Sequence, residues 1–189
     1  MQILRTRDRT TTPWKNGGGT THEVAIWPPA ALWDTFAWRV SIAEVAASGP
    51  FSSFPAIDRV LTVIQGSGLD LNVAGQGPIT MNSGSAPYHF AGDATCDARL
   101  GDGPIRDINV MSRRGVATAE VRRETIRGRS DITATRTFAL LVALDPLSIG
   151  PNRDLHIEDA TLLLPGESLV ARAREARALL IEIDLVANR

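Results

Sequence analysis

Apolar and polar residues alternate along much of this chain, in short segments that end at Gly or Pro. A period of two is typical of a β-strand, whose successive side chains point to opposite faces. The pattern predicts strands over residues 20–27, 36–43, 59–65, 69–73, 105–111, 116–126, 138–144, 155–164 and 178–185. Their regular spacing, with turn residues between them, predicts an all-β sandwich or barrel.

Several connections between these strands can be predicted in more than one way. Gly66-Ser67-Gly68 is predicted to be the turn of a hairpin that joins strands 59–65 and 69–73. Residues 168–178 are rich in Ala and Arg, which favours a helix, but they also alternate after a Pro-Gly turn. We favour a hairpin there and keep the helix as the alternative. Residues 29–34 are predicted to be a short helix or a turn.

Composition and charge argue against several classes of protein. A net charge of -1 and a pI near 6.3 argue against a nucleic-acid or membrane-surface partner. Cys96 is the only cysteine, so neither an intramolecular disulfide nor a thiolate metal cluster is expected. The sequence shows no apolar leader and no apolar run of about 18 residues, so we expect a cytoplasmic protein.

One short segment stands out by its chemistry. Of the 20 Lys and Arg residues, only Lys15 is a lysine, and it lies between Trp14 and Asn16, just before Gly17-Gly18-Gly19. An ammonium is a compact point charge and a guanidinium a planar fork, so the two do not replace each other at a tight site. Consecutive glycines let the backbone approach a ligand closely. We expect this segment to contribute to a binding site; an ordinary polar loop is the alternative.

Alternation also places polar groups on strand faces that would line a barrel interior. Arg39 and Ser41 share one face, and Arg59 starts an apolar strand that follows Phe51-Ser52-Ser53-Phe54. A buried arginine needs an acidic partner or an anionic ligand, and arginine binds carboxylates through paired hydrogen bonds. These residues therefore predict a site for a small carboxylate.

Acidic residues near these arginines offer another explanation. Arg39 and Arg59 would then pair inside the protein with Glu23, Asp58 or Asp107. Residues 105–111 alternate so that Asp107, Asn109 and Met111 fall on one side. Because Asp and Asn are poor strand formers, this side predicts a polar network or a ligand contact, or else the hydrated face of an edge strand.

No motif for metal or cofactor chemistry is present in the sequence. His22, His89 and His156 lack the spacing of metal ligands, and we find neither a phosphate-binding glycine motif nor a nucleophile elbow. We therefore expect no metal and no cofactor.

Five blocks of sequence resemble, in order, the HutD/Ves family. They are residues 14–23 (WKNGGGTTHE), 38–43 (WRVSIA), 49–59 (GPFSSFPAIDR), 90–93 (FAGD) and 103–111 (GPIRDINVM). The resemblance implies a bicupin with two cupin-type, jelly-roll halves, about 1–115 and 116–189, and usually a homodimer. Members often accompany histidine-utilisation genes and are thought to bind a pathway intermediate, with formylglutamate as the favoured candidate.

The chain departs from the family and from metal-binding cupins at a few positions. The family usually has Gly where Ala56 stands and Arg where His22 stands. The stretch 49–66, where cupins commonly hold a metal, contains neither His nor Glu, and His89 has no partner in the second motif. This difference predicts a metal-free site.

Together, these features predict a non-catalytic regulator of histidine utilisation that binds a small anionic metabolite in its N-terminal barrel. The predicted ligand-binding residues are Lys15, Arg39 and Arg59 for carboxylates, Ser41, Ser52 and Asn109 for hydrogen bonds, Trp14 and Phe54 as walls, and Asn16 beside the lysine. One alternative is a metal-free isomerase, lyase or deformylase-like enzyme with Lys15 as acid or base. The other is a protein–protein scaffold.

Overall fold

Antiparallel β-strands make up the architecture, as the alternating pattern predicts. A computed structural model of the chain describes residues 1–186, in which the only helical segment is a 3-10 turn at Thr6–Asp8. No helix in this range has the length and apolar content to cross a membrane. The strands in chain order are β1 (Gln2–Leu4), β2 (Thr11–Pro13), β3 (Gly19–Trp27), β4 (Trp38–Val45), β5 (Gly49–Pro50), β6 (Ile57–Gln65), β7 (Leu69–Val73), β8 (Gly77–Met81), β9 (Tyr88–Ala91), β10 (Cys96–Leu100), β11 (Ile105–Arg113), β12 (Ala117–Thr133), β13 (Phe138–Ala143), β14 (Leu147–Ser148), β15 (Asp154–Leu155), β16 (Ala160–Leu163) and β17 (Ser168–Leu185).

The backbone divides into two compact units. One unit is Thr10–Val116, and the other joins Met1–Arg9 to the chain from Ala117 onward. The first residues belong to the second unit because β1 pairs with β16, Gln2 opposite Leu162.

The unit Thr10–Val116 contains two sheets that share one apolar core. The six-stranded sheet has the order β2-β3-β4-β11-β6-β9, and the four-stranded sheet has the order β5-β10-β7-β8. Leu61 and Val63 of β6 join Leu69 and Leu71 of β7 in a single buried cluster. Apolar side chains on the facing sides therefore hold the two sheets together.

The other unit is a single seven-stranded sheet. Its order is β1-β16-β13-β17-β14-β15, with β12 paired to β17 along nearly its whole length. Its buried cluster includes Ile126, Leu141, Leu163 and Leu180, together with several alanines.

The hairpin predicted at Gly66-Ser67-Gly68 is wrong. Strand β6 pairs with β11 and β9, whereas β7 pairs with β10 and β8 in the other sheet. Gly66 and Gly68 have φ values of 96° and 104°, which side chains other than glycine rarely adopt. The segment is therefore a sharp crossing between sheets, and alternation alone does not reveal which partner a strand takes.

Residues 168–178 form neither a helix nor the favoured hairpin. They begin β17, one continuous strand. Strands β16 and β17 lie on opposite sides of β13, so the turn at residues 165–167 does not join paired strands. Residues 29–34 contain turns only, and residues 155–164 are divided between β15 and β16.

Replacing Gly68 by Ala tests the crossing between the sheets. A Cβ atom there would overlap the carbonyl oxygen of Met81, so the backbone must shift. We expect Gly68→Ala to lower the free energy of unfolding by about 3 kcal/mol. Gly75→Ala is the matched control, because Gly75 has φ 82° but open space around it, and it should cost only about 1 kcal/mol. Equal losses in urea unfolding would contradict the steric explanation.

Candidate functional site

A cavity of about 690 Å³ opens within the unit Thr10–Val116. Strands of the six-stranded sheet form one side, and the loops around residues 14–16, 31–36 and 51–54 form the others. All nine residues predicted to bind a ligand line it: Trp14, Lys15, Asn16, Arg39, Ser41, Ser52, Phe54, Arg59 and Asn109. The structure thus brings the whole predicted set together, while its role in binding stays a prediction.

The register of the central strand β11 explains why these polar groups converge. Met111 lies opposite Arg39 on β4 and Arg59 on β6. Two residues earlier on the same face, Asn109 lies opposite Ser41. Because β11 lies between β4 and β6, the alternative of an edge strand with a hydrated face is wrong.

Arg39 already has an acidic partner inside the protein. Its Nε donates a hydrogen bond to Glu23 Oε2 at 2.8 Å. Its guanidinium also lies 4.6 Å from the ring centroid of Trp33, at a distance typical of a cation–π contact. The alternative of internal pairing therefore holds for Arg39.

Arg59 has a different environment. Only 5% of it is exposed, and its guanidinium carbon lies 4.9–5.4 Å from the ring centroids of Phe51, Phe54 and Phe90. Its Nε donates to Asn109 Oδ1 at 3.3 Å. Among the residues that the structure describes, no carboxylate forms an ion pair with it within 4 Å. Burial lowers the pKa of Arg59 to about 10, against the opposing charge of Asp107.

Asp107 completes the polar face and was not among the predicted ligand-binding residues. It lines the cavity and is 2% exposed, and its Oδ1 has no hydrogen-bond partner among the residues that the structure describes. Burial raises the pKa of this carboxyl to about 7, although the charges of Arg59 and Arg106 oppose the rise. The sequence signal that could have identified Asp107 is the alternation that places it on the same side of β11 as Asn109.

Asp58 does not pair with Arg59, although the sequence allowed this internal ion pair. It forms an ion pair with Arg114 at 3.2 Å, and it does not line the cavity.

The glycine-rich segment shapes one wall through its own hydrogen bonds. The backbone N–H of Trp14 donates to the carbonyl of Gly19 at 2.9 Å, and Asn16 Oδ1 accepts from the N–H of Gly18 at 3.0 Å. Trp14 Nε1 donates to Thr21 Oγ1 at 2.8 Å. Lys15 is exposed, so the burial that an acid–base role would require of it is not present.

Trp33 is a second lining residue that the sequence reasoning missed. Its ring stacks on Phe54 with centroids 5.4 Å apart and planes at 16°, and 59% of the residue is exposed. It therefore forms a boundary between the cavity and solvent. The only sequence signal was a tryptophan in a Pro-flanked segment, which predicts no particular location.

Within residues 1–186, no group of three or more His, Cys, Asp or Glu side chains is arranged to hold a metal ion. His22 Nδ1 lies 2.9 Å from Thr11 Oγ1 on the neighbouring strand. The expected absence of a metal and a cofactor stays a prediction.

Replacing Asp107 by Asn tests the burial of its carboxyl. In the fold this group has a pKa of about 7, whereas in an unfolded chain it is about 3.9. The unfolded chain therefore ionises first, and the wild type loses stability as the pH rises from about 4 to about 7. Asn does not titrate, so the stability of Asp107→Asn relative to wild type should be about 2–3 kcal/mol more favourable near pH 8 than near pH 5. Urea unfolding at both pH values measures this, and an unchanged difference would show that the carboxyl ionises normally.

Two curated relatives match part of this chain. An uncharacterised 21.2 kDa protein in the hutC 3' region of Pseudomonas putida is 40% identical over 111 residues, 59% of this chain and 57% of that protein. Protein Ves of Citrobacter koseri is 37% identical over 123 residues, 65% of this chain and 63% of that protein. The match thus spans about three fifths of each relative.

Solved structures and a family model match almost the whole chain. HutD from Pseudomonas fluorescens SBW25, in a formate condition, is 30% identical with a TM-score of 0.84, over 98% of this chain and 99% of that one. A deletion mutant of Bacillus subtilis oxalate decarboxylase has a TM-score of 0.68 at 6% identity, over 97% of this chain and 77% of that one, which shows a cupin-like fold alone. The model of the HutD family matches residues 6–182. The chain therefore belongs to the HutD family.

Proposed function

We propose that this protein binds a small carboxylate metabolite in the cavity of the unit Thr10–Val116 and regulates histidine utilisation by doing so. Formylglutamate, which carries two carboxylates and a formamide, is the proposed ligand. The observation that carries the proposal is Arg59, a buried cation that faces the cavity and has no ion-pair partner among the described residues.

Arg59 favours an anionic ligand for energetic reasons. A guanidinium taken out of water loses hydration, and the three Phe rings and one hydrogen bond around it replace only part of that loss. A carboxylate would supply charge and paired acceptors at the same time. The cavity volume of about 690 Å³ also falls in the range typical of small-molecule sites.

The comparisons support the same pathway. The Pseudomonas putida relative is named for its place in the hutC 3' region, and the Pseudomonas fluorescens structure was obtained in a formate condition. We extend the pathway from these relatives to this chain as part of the proposal.

The proposal includes the finer architecture expected from the sequence. The two units would be the two cupin-type halves of a bicupin, which the all-β content of each unit and the cupin-like neighbour support. A homodimer is likewise part of the proposal, on the basis of family resemblance, and so is the cytoplasmic location expected from the sequence.

A metal-free enzyme is the second candidate, and Asp107 is the observation that favours it. A carboxyl whose pKa is raised to about 7 inside a cavity has the properties of a general base at neutral pH. A regulator would leave its ligand unchanged, whereas an enzyme would convert it.

A thermal-shift series with NMR readout separates the two functions. N-formylglutamate, glutamate, formate and the other intermediates of histidine degradation would be added singly to the protein. A ligand at about 100 times its dissociation constant adds roughly 2.7 kcal/mol to the free energy of unfolding. A shift with N-formylglutamate that stays intact by NMR is the expected result. Conversion would favour the enzyme, and no shift with any compound would contradict the proposed ligand class.

Lysine substitutions at the two buried arginines identify the anchor. Arg59→Lys keeps the charge but loses the planar fork, so we expect N-formylglutamate to bind about 10–100-fold more weakly. Arg39→Lys is the matched control, because Arg39 is already bonded to Glu23, and it should change the affinity by less than about threefold. Calorimetric titration of both folded variants measures the difference in affinity. An equal loss of affinity in the two variants would contradict the assignment of the ligand carboxylate to Arg59.

A further inference from the structure

Asp107 has a buried acceptor atom that the protein itself does not use. Its Oδ1 lies within the unit Thr10–Val116 and has no hydrogen-bond partner within residues 1–186, and the residue lines the cavity. Buried polar atoms are nearly always bonded, because leaving one unpaired costs the hydration it has lost. An unpaired acceptor on a cavity wall therefore indicates a donor that arrives with a ligand.

The neighbouring strands cannot supply that donor. On β4 the residue opposite Asp107 is Ala43, and on β6 it is Val63, so both cross-strand neighbours are apolar. Asn109 is the nearest polar residue on the same face of β11; its Oδ1 accepts from Arg59, and among the described residues its Nδ2 forms no hydrogen bond with Asp107 Oδ1.

Arg59 and Asp107 are close enough for one small molecule to contact both side chains. The Arg59 side chain bonds to Asn109, which is two residues from Asp107 and therefore about 7 Å away along the strand. The two side chains also influence each other's charge. A ligand whose carboxylate binds Arg59 can therefore place a second polar group against Asp107.

We propose that Asp107 accepts a hydrogen bond from an N–H group of the ligand, and that the site selects carboxylates carrying an amide N–H near the carboxylate. This inference rests on the proposed function and names the chemical class within it: N-acyl amino acids rather than simple dicarboxylates. Burial raises the pKa of Asp107 to about 7 against the charges of Arg59 and Arg106, and in either protonation state the carboxyl keeps an oxygen that can accept such a bond.

A pair of matched probes tests the requirement for the N–H. N-formylglutamate and its ester analogue 2-formyloxyglutarate differ only in an N–H replaced by O, so both keep the two carboxylates and the formyl group. Calorimetric titration of the wild-type chain should show the amide binding about 10–100-fold more tightly than the ester. NMR spectra taken after each titration confirm that the ester is intact.

Two variants assign the preference to Asp107. In Asp107→Ala we expect the amide-to-ester ratio to fall to within about threefold, since alanine offers no side-chain acceptor for the ligand N–H. Asp58→Asn is the control, because Asp58 lies on the neighbouring strand, pairs with Arg114 and does not line the cavity. This variant should keep the wild-type ratio.

The outcomes distinguish this inference from the proposed function. Equal binding of amide and ester to the wild type would overturn the N–H requirement and leave carboxylate binding standing. A preference that persists in Asp107→Ala would overturn the assignment to Asp107. Binding of neither probe would overturn both the inference and the proposed ligand. The comparison in the wild type decides the first point even if Asp107→Ala fails to fold.

Discussion

The site depends on two opposite charges that are buried on one face of a sheet without bonding to each other. Arg59 is held by three phenylalanine rings and by Asn109, while Asp107 has an acceptor atom with no partner. A direct ion pair would satisfy the charge of both groups, and neither would then be left to bind a ligand. Their separation keeps each group available, at a cost to the stability of the empty protein.

The rest of the unit Thr10–Val116 keeps this arrangement in place. Central strand β11 is hydrogen-bonded on both sides, so the backbone positions of Asp107 and Asn109 are fixed by two ladders. The apolar cluster that includes Leu61 and Val63 supports the same sheet next to the cavity. The loops complete the walls, with Trp33 stacked on Phe54 at the exposed boundary. Rigid strands thus carry the charged groups, and loops enclose the space.

From the sequence, the strands and the residues that line the site could be predicted far better than which strands pair with each other. Alternation identified that Arg39 and Ser41 share one face of a strand, and that Asp107 and Asn109 share one side of another, because a period of two follows from local backbone geometry. It failed at Gly66-Ser67-Gly68, where two close strands belong to different sheets, since partner choice depends on contacts far apart in the chain. Arg39 and Arg59 looked equivalent in sequence, and only the structure shows Glu23 bonded to Arg39 alone.

The most direct test of this account is a crystal structure of the protein grown with N-formylglutamate. We predict a ligand carboxylate about 2.7–3.0 Å from the guanidinium nitrogens of Arg59, inside the cavity of the unit Thr10–Val116. A ligand bound elsewhere, or one whose carboxylates contact only other cations while Arg59 stays bonded to Asn109 alone, would contradict it.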